Sequence, residues 1–301
     1  MKTLLITLSL QTLLLANAHA GLKTRILKVI SPETSTDAFE VLVAKDRQIF
    51  TVNPSQAELL EELRRAEELN SVVELTGNED NELLSLELIE EGDNVLDFYP
   101  SEGLHPMTNY TPSNIDGVDR ATELFNELAE GSRWMSQCFN RAHLWSRQLD
   151  KEHGVKSMKI LIYYTKRFRN EIGGKWWFHI APMVDVNGEH YVLDKEFTRA
   201  PVTEENWEHI FTRKMEEKGI YGYRCKVIQN ISEYYDDYNQ NNEYCNIQIT
   251  SMYYWEPNDM SRLERTGEQK TEYLNRELRI AAKNVYWRWR WKRAFNRVKV
   301  D

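Results

Sequence analysis

Cys138, His179 and Asp194 are the residues whose types and spacing best suit covalent chemistry on a carbonyl carbon. A cysteine attacks as its thiolate, which a helix N-terminus favours through unpaired backbone N–H groups and the helix dipole. Cys138 stands at the start of a segment, Gln137 to Leu149, that reads as a helix introduced by Gly131 and Ser132. The same N–H groups can hold the oxyanion formed when a thiolate adds to a carbonyl. The backbone N–H of Cys138 is the first candidate donor, with Gln137 or another nearby side chain as the second.

A base must be brought in from elsewhere, because cysteine–histidine pairs meet in space rather than in sequence. His143 follows Cys138 by five residues on the same helix and points to another side, whereas His179 is a polar residue in the apolar strand Trp176 to Val184. Asn187-Gly188 predicts a type I′ hairpin turn. That register pairs 186 with 189, 184 with 191 and 181 with 194. His179 and Asp194 then become diagonal neighbours on one face, roughly 7 Å apart at Cα. An imidazole–carboxylate bond there would fix the tautomer and stabilise the imidazolium. On the residues alone, a buried structural cysteine and a histidine satisfied within a sheet fit the same text.

The elements that position these residues fall into two regions. Strand-like stretches at 24–30, 39–43, 49–52, 71–75 and 83–89 surround one helix, Gln56 to Leu69, whose Leu59, Leu60 and Leu63 share a face. They predict a small, mostly β N-terminal domain over residues 21–105. Its end is marked by a Pro-, Ser-, Gly- and Asn-rich linker from about Tyr99 to Pro112, with protease sensitivity expected near Met107 to Ser113. The domain from 106 to 301 would hold helices at 117–128 and 137–149 and strands at 158–165, 176–184, 191–194, 226–230 and 246–254. Thr203 would cap a further helix running to about Lys218. A long helix is expected from about Gln269. On it, Trp287, Trp291 and Phe295 form one apolar stripe and Leu278, Ala282, Val285 and Trp289 another, which suits packing against the domain. Tyr234, Tyr235 and Tyr238, among acids and asparagines, read as a solvated loop.

Met1 to Ala20 has the form of a signal peptide: Lys2, an apolar run from Leu4 to Leu15, and Ala18-His19-Ala20 as a cleavage pattern. The mature chain would begin at Gly21 and be secreted or periplasmic, and no stretch is long and apolar enough to predict a transmembrane helix. Export favours a disulfide, and Cys225 and Cys245 flank a polar stretch that such a bridge would staple, leaving Cys138 free. A net charge of -9 argues against nucleic acid as a partner. The histidines and cysteines form no short-spaced cluster, so neither metal nor other cofactor is expected.

The text around the three residues is more specific than the residues themselves. Gln137-Cys138-Phe139-Asn140-Arg141-Ala142-His143, then Trp177-Phe178-His179-Ile180-Ala181-Pro182-Met183-Val184, then Val192-Leu193-Asp194-Lys195-Glu196-Phe197, with Pro201-Val202-Thr203 and Trp207, resembles the protein-glutamine glutaminases over about 132–211. The resemblance implies an α+β, papain- or transglutaminase-like core and deamidation of glutamine side chains in protein or peptide substrates. By position it implies Cys138 as nucleophile, His179 as base and acid, and Asp194 as the residue that orients the histidine. Gln137 and Trp177 are candidates to contact substrate or oxyanion. It also implies a pro-segment, which the N-terminal domain would supply; a permanent accessory domain is the alternative. A cysteine protease or transglutaminase would use the same residues and differ in product. A non-catalytic adhesin or inhibitor-like protein would leave Cys138 unreactive.

Overall fold

A computed structural model of the chain describes residues 19–44, 46–89, 107, 110–128, 137–174, 176–240, 243–252 and 254. Most of the signal-like segment and the expected C-terminal helix lie outside these residues. The architecture is mixed α and β, with two sheets and six helices among the described residues.

The first sheet is antiparallel and contains β1 (His19–Ile30), β2 (Phe39–Val43), β3 (Phe50–Val52), β4 (Val72–Gly77) and β5 (Leu83–Leu88), in the order β3-β2-β1-β4-β5. Helix α1 (Ala57–Glu68) packs on it through Leu59, Leu60, Leu63 and Ala66, the face that the leucine spacing predicts. β2 is apolar on both sides, and its two faces serve different cores. Val41 and Val43 meet α1, while Leu42 and Ala44 join the cluster that holds Cys138.

The remaining elements are β6 (Asn114–Ile115), α2 (Gly117–Glu127), α3 (Cys138–His153), β7 (Met158–Tyr164), α4 (Lys166–Ile172), β8 (Phe178–Val186), β9 (Glu189–Val192), β10 (Val202–Thr203), α5 (Glu204–Glu216), β11 (Lys226–Val227), α6 (Ile231–Gln240) and β12 (Cys245–Ser251). The second sheet runs β10-β9-β8-β7-β12-β11, with β6 pairing parallel to β8 and β11 parallel to β12. β7 is buried along its whole length, because α3 covers one side and α4 and α5 the other. Such two-sided burial accounts for its unbroken run Ile160-Leu161-Ile162-Tyr163-Tyr164.

Two expectations change. The stretch from Cys225 to Cys245 is not a solvated loop, for it contains α6, with Tyr234 and Tyr238 fully buried. Ile231, Tyr234 and Tyr238 recur at helical spacing and form the packed face, which outweighs the Asn- and Asp-rich composition. The end of the expected linker is also tied down: Tyr110 Oη donates to the Ser157 carbonyl, and Ser113 N–H to the Lys156 carbonyl at 2.9 Å. No helix among the described residues is long and apolar enough to cross a membrane.

Candidate active site

α3 begins at Cys138 because Gln137 is extended, with φ -74° and ψ 153°. Helix geometry leaves the N–H groups of its first turn without intrahelical acceptors. The helix ends at Gly154, whose φ of 67° lies in the left-handed region that glycine adopts without strain. Cys138 is buried, and its thiol is the free one. Cys225 and Cys245 are joined by a disulfide, since pairing of Lys226 with Asn246 brings their preceding residues side by side.

His179 lies on β8, buried between α3 and α5. The turn has the expected register: 186 pairs with 189 and 184 with 191, with positive φ at both Asn187 and Gly188. The ladder ends at 183 with 192, and Leu193 N–H reaches the Pro182 carbonyl at 2.9 Å. Asp194 sits just past this ladder, and its Oδ2 is 2.8 Å from His179 Nε2.

The Asp194 carboxylate also accepts the Trp207 indole N–H at 2.9 Å and the Glu196 backbone N–H at 3.0 Å. Burial works against its charge, but His179 and these donors hold its pKa below the ordinary carboxylate value. For His179, burial again opposes charge. The Asp194 carboxylate and Cys138 outweigh it, and the imidazole pKa is pushed up to about 10. Nδ1 makes no hydrogen bond of acceptable geometry among the described residues, yet Cys138 acts on the ring closely enough to favour its protonated form. One ring nitrogen thus belongs to the aspartate, and the thiol influences the same ring.

Gln137 and Trp177 are both engaged by one residue of the first sheet's β2–β3 connection. Asp46 accepts the Gln137 side-chain amide at 3.3 Å through Oδ1, and the Trp177 indole N–H at 2.8 Å through its backbone carbonyl. Trp177 is fully buried, so as the chain stands its indole N–H is not presented to a substrate oxyanion. Its backbone N–H donates to the Arg47 carbonyl at 2.9 Å.

Sequence reasoning gave no role to Glu196, Arg141, Trp207 or Arg47. The Glu196 side chain is only 4% exposed and bridges Arg141 and Arg47, with Arg47 Nη1 at 3.4 Å, and its Oε2 is 3.9 Å from His179 Nδ1. Arg141 follows Cys138 by three residues, so helical spacing alone places the two on neighbouring positions of α3. Arg47 also lies over the Trp176 ring at 3.5 Å. Phe197, Trp207 and Phe211 enclose the imidazole, with centroids 4.9, 5.9 and 5.4 Å away. His143 is committed to Lys159 at 2.9 Å and His190 to Glu204 at 2.9 Å; His105 lies outside the described residues.

Crystal structures of pro-protein-glutaminase and of its A47Q2 mutant share the fold, with TM-scores of 0.50 and 0.51, each at 18% identity. The alignments cover 80% and 78% of this chain and 84% and 83% of theirs. A search of curated proteins gives no match. Residues 122–211 match the family model described as Glutaminase. This segment spans Cys138, His179 and Asp194, and the match points to the glutaminase family that the motifs resemble.

Proposed function

We propose that the chain is an exported protein-glutamine deamidase that works through a cysteine thioester. The observation that carries this reading is the buried His179–Asp194 bond, 2.8 Å long, on a ring whose charge Cys138 influences from the start of α3. The Cys138 thiolate attacks the γ-carboxamide carbon of a substrate glutamine, and the oxyanion is met by the Cys138 N–H. Gln137 Nε2 becomes a second donor once Asp46 withdraws. The imidazolium gives its proton to the departing nitrogen, ammonia leaves, and a thioester remains. Neutral His179 then takes a proton from water; hydroxide adds to the thioester, and glutamate and the thiol are released. Asp194, fixed by Trp207, keeps the ring in the tautomer both steps need.

The first sheet acts, in this reading, as a pro-segment. Asp46 and Arg47 occupy Gln137, Trp177 and Glu196 at once, and Leu42 and Ala44 lie in the Cys138 cluster, so substrate enters only after this sheet moves. Export is supported by the form of Met1 to Ala20 and by the disulfide.

The test is ammonia release from casein by wild type and Cys138→Ala, before and after limited proteolysis, with new peptide termini and isopeptide crosslinks counted alongside. The expected result is ammonia that depends on Cys138, increases after proteolysis and comes without cleavage or crosslinking. New termini or crosslinks in its place would move the assignment to protease or transglutaminase.

A further inference from the structure

We infer that Arg169 and Tyr238 form a carboxylate subsite for protein substrates, occupied in this chain by Glu40. The inference rests on the deamidase and pro-segment readings. It adds a substrate class: segments with an acidic residue about four to six positions before the reactive glutamine.

Glu40 lies on β2, whereas Arg169 comes from α4 and Tyr238 from α6. Arg169 Nη2 donates to Glu40 Oε1 at 2.6 Å, and Tyr238 Oη to Glu40 Oε2 at 2.6 Å. Arg169 Nη2 also reaches Tyr238 Oη at 2.5 Å. Two donors from separate elements therefore meet the two oxygens of one carboxylate, and side-chain exposures of 12% and 17% shield the ion pair from water. The fit is incomplete, because Arg169 Nε is buried without a hydrogen-bond partner among the described residues. A guanidinium binds a carboxylate best as a two-toothed fork, so an acid arriving with more freedom than Glu40 could also satisfy Nε.

The path from this subsite to the thiol is continuous. Tyr238 meets Tyr234 at 5.7 Å between centroids, Tyr234 stacks on Trp177 at 6.1 Å, and all three share a buried cluster with Cys138. Along β2, Glu40, Leu42 and Ala44 alternate onto this face. Leu42 and Ala44 pack in the Cys138 cluster, and Asp46, two residues on, contacts Gln137. At about 3.3 Å per residue, four extended residues span roughly 13 Å. A substrate segment following the same track would present its acid to Arg169 and its glutamine to Cys138.

The test uses the full chain carrying Cys138→Ala and Glu40→Gln after the same limited proteolysis, so that the first sheet no longer covers the track and the protein binds without turnover. Two fluorescein-labelled peptides with one glutamine differ only in Glu or Ser five positions before it. The expected anisotropy result is about tenfold tighter binding of the Glu peptide, as a charge-assisted bond supplies. Adding Arg169→Gln should abolish the preference, and Tyr238→Phe, which removes only a hydroxyl, should weaken it severalfold. Equal affinity for both peptides, measurable or not, would overturn the subsite and leave Arg169 a strut between β2 and α4; so would a preference that survives both variants. Ammonia release by Glu40→Gln with Cys138 intact, after the same proteolysis, reads the deamidase assignment separately. A preference without ammonia keeps the subsite and sinks deamidation, and ammonia without a preference does the reverse.

Discussion

His179 is buried yet holds its proton to about pH 10, because Asp194 and Cys138 supply more attraction than burial removes. In the free energy of folding, a pKa raised above its ordinary 6.5 stabilises fully below that value and loses its effect as pH rises through about 10. Asp194, held below its ordinary 3.8, stabilises above that value and loses its effect as pH falls through its lowered pKa. Both contributions are complete between 3.8 and 6.5. Replacing the pair by neutral amides, His179→Gln with Asp194→Asn, should therefore cost most melting temperature near pH 5.5 and progressively less towards pH 10. Melts at pH 5.5, 8 and 10 check this; a constant difference would mean that the pair stabilises by packing alone. Asp194→Asn by itself should leave the fold intact and lower kcat for deamidation by roughly 10³- to 10⁴-fold, as loss of the orienting carboxylate does in comparable triads. The three residues were legible in the sequence because each sits at a readable place: a helix start, an apolar strand and the end of a hairpin with a known turn. Glu196 and Trp207 were quoted for their motif but given no role. Their contacts, to Arg141 and Asp194, cross between elements, and no periodicity records that.

Elements were legible where one face is apolar and the ends carry capping chemistry. α5 shows both, with Thr203 Oγ1 accepting the Asn206 N–H at 3.3 Å, and α1 shows the apolar face. Thr203→Ala should lower stability by about 1 kcal/mol in urea titration, the usual worth of a side-chain cap. α4 has seven residues and too few turns for its pattern to stand out. α6 hid behind polar composition although its apolar spacing was helical. The bridge flanking α6 closes a separation of 20 residues. Restricting a loop of that length in the unfolded chain stabilises by about 3 kcal/mol. Cys225→Ser with Cys245→Ser should lose about that much in guanidinium, while Cys138, outside the bridge, remains available for chemistry. A larger loss that also removes Cys138 reactivity would mean that β11 and β12 hold the site as well as the sheet.

At the scale of the whole molecule, two apolar faces on β2 announce a strand covered on both sides, but not which element covers the second. A single sequence lacks that information, since the partner elements lie about a hundred or more residues further along the chain. The structure puts α3, α4 and α6 there, with the Cys138 cluster between. If the first sheet is the cover proposed above, its closure depends heavily on Arg47, which pairs with the Glu196 side chain and lies 3.5 Å from the Trp176 centroid. A desolvated cation–π contact contributes about 2 kcal/mol, and a change of that size raises the open fraction by up to about thirtyfold. Arg47→Ala in the uncut chain should therefore increase ammonia release severalfold or more. On the same reading it should leave the rate after proteolysis unchanged, because Arg47 would then lie in the displaced part. Initial rates on the same casein preparation, cut and uncut, measure both. A fall in the uncut rate would show instead that Arg47 supports Glu196 and, through it, the ring of His179, which would make the first sheet part of the working enzyme rather than its cover.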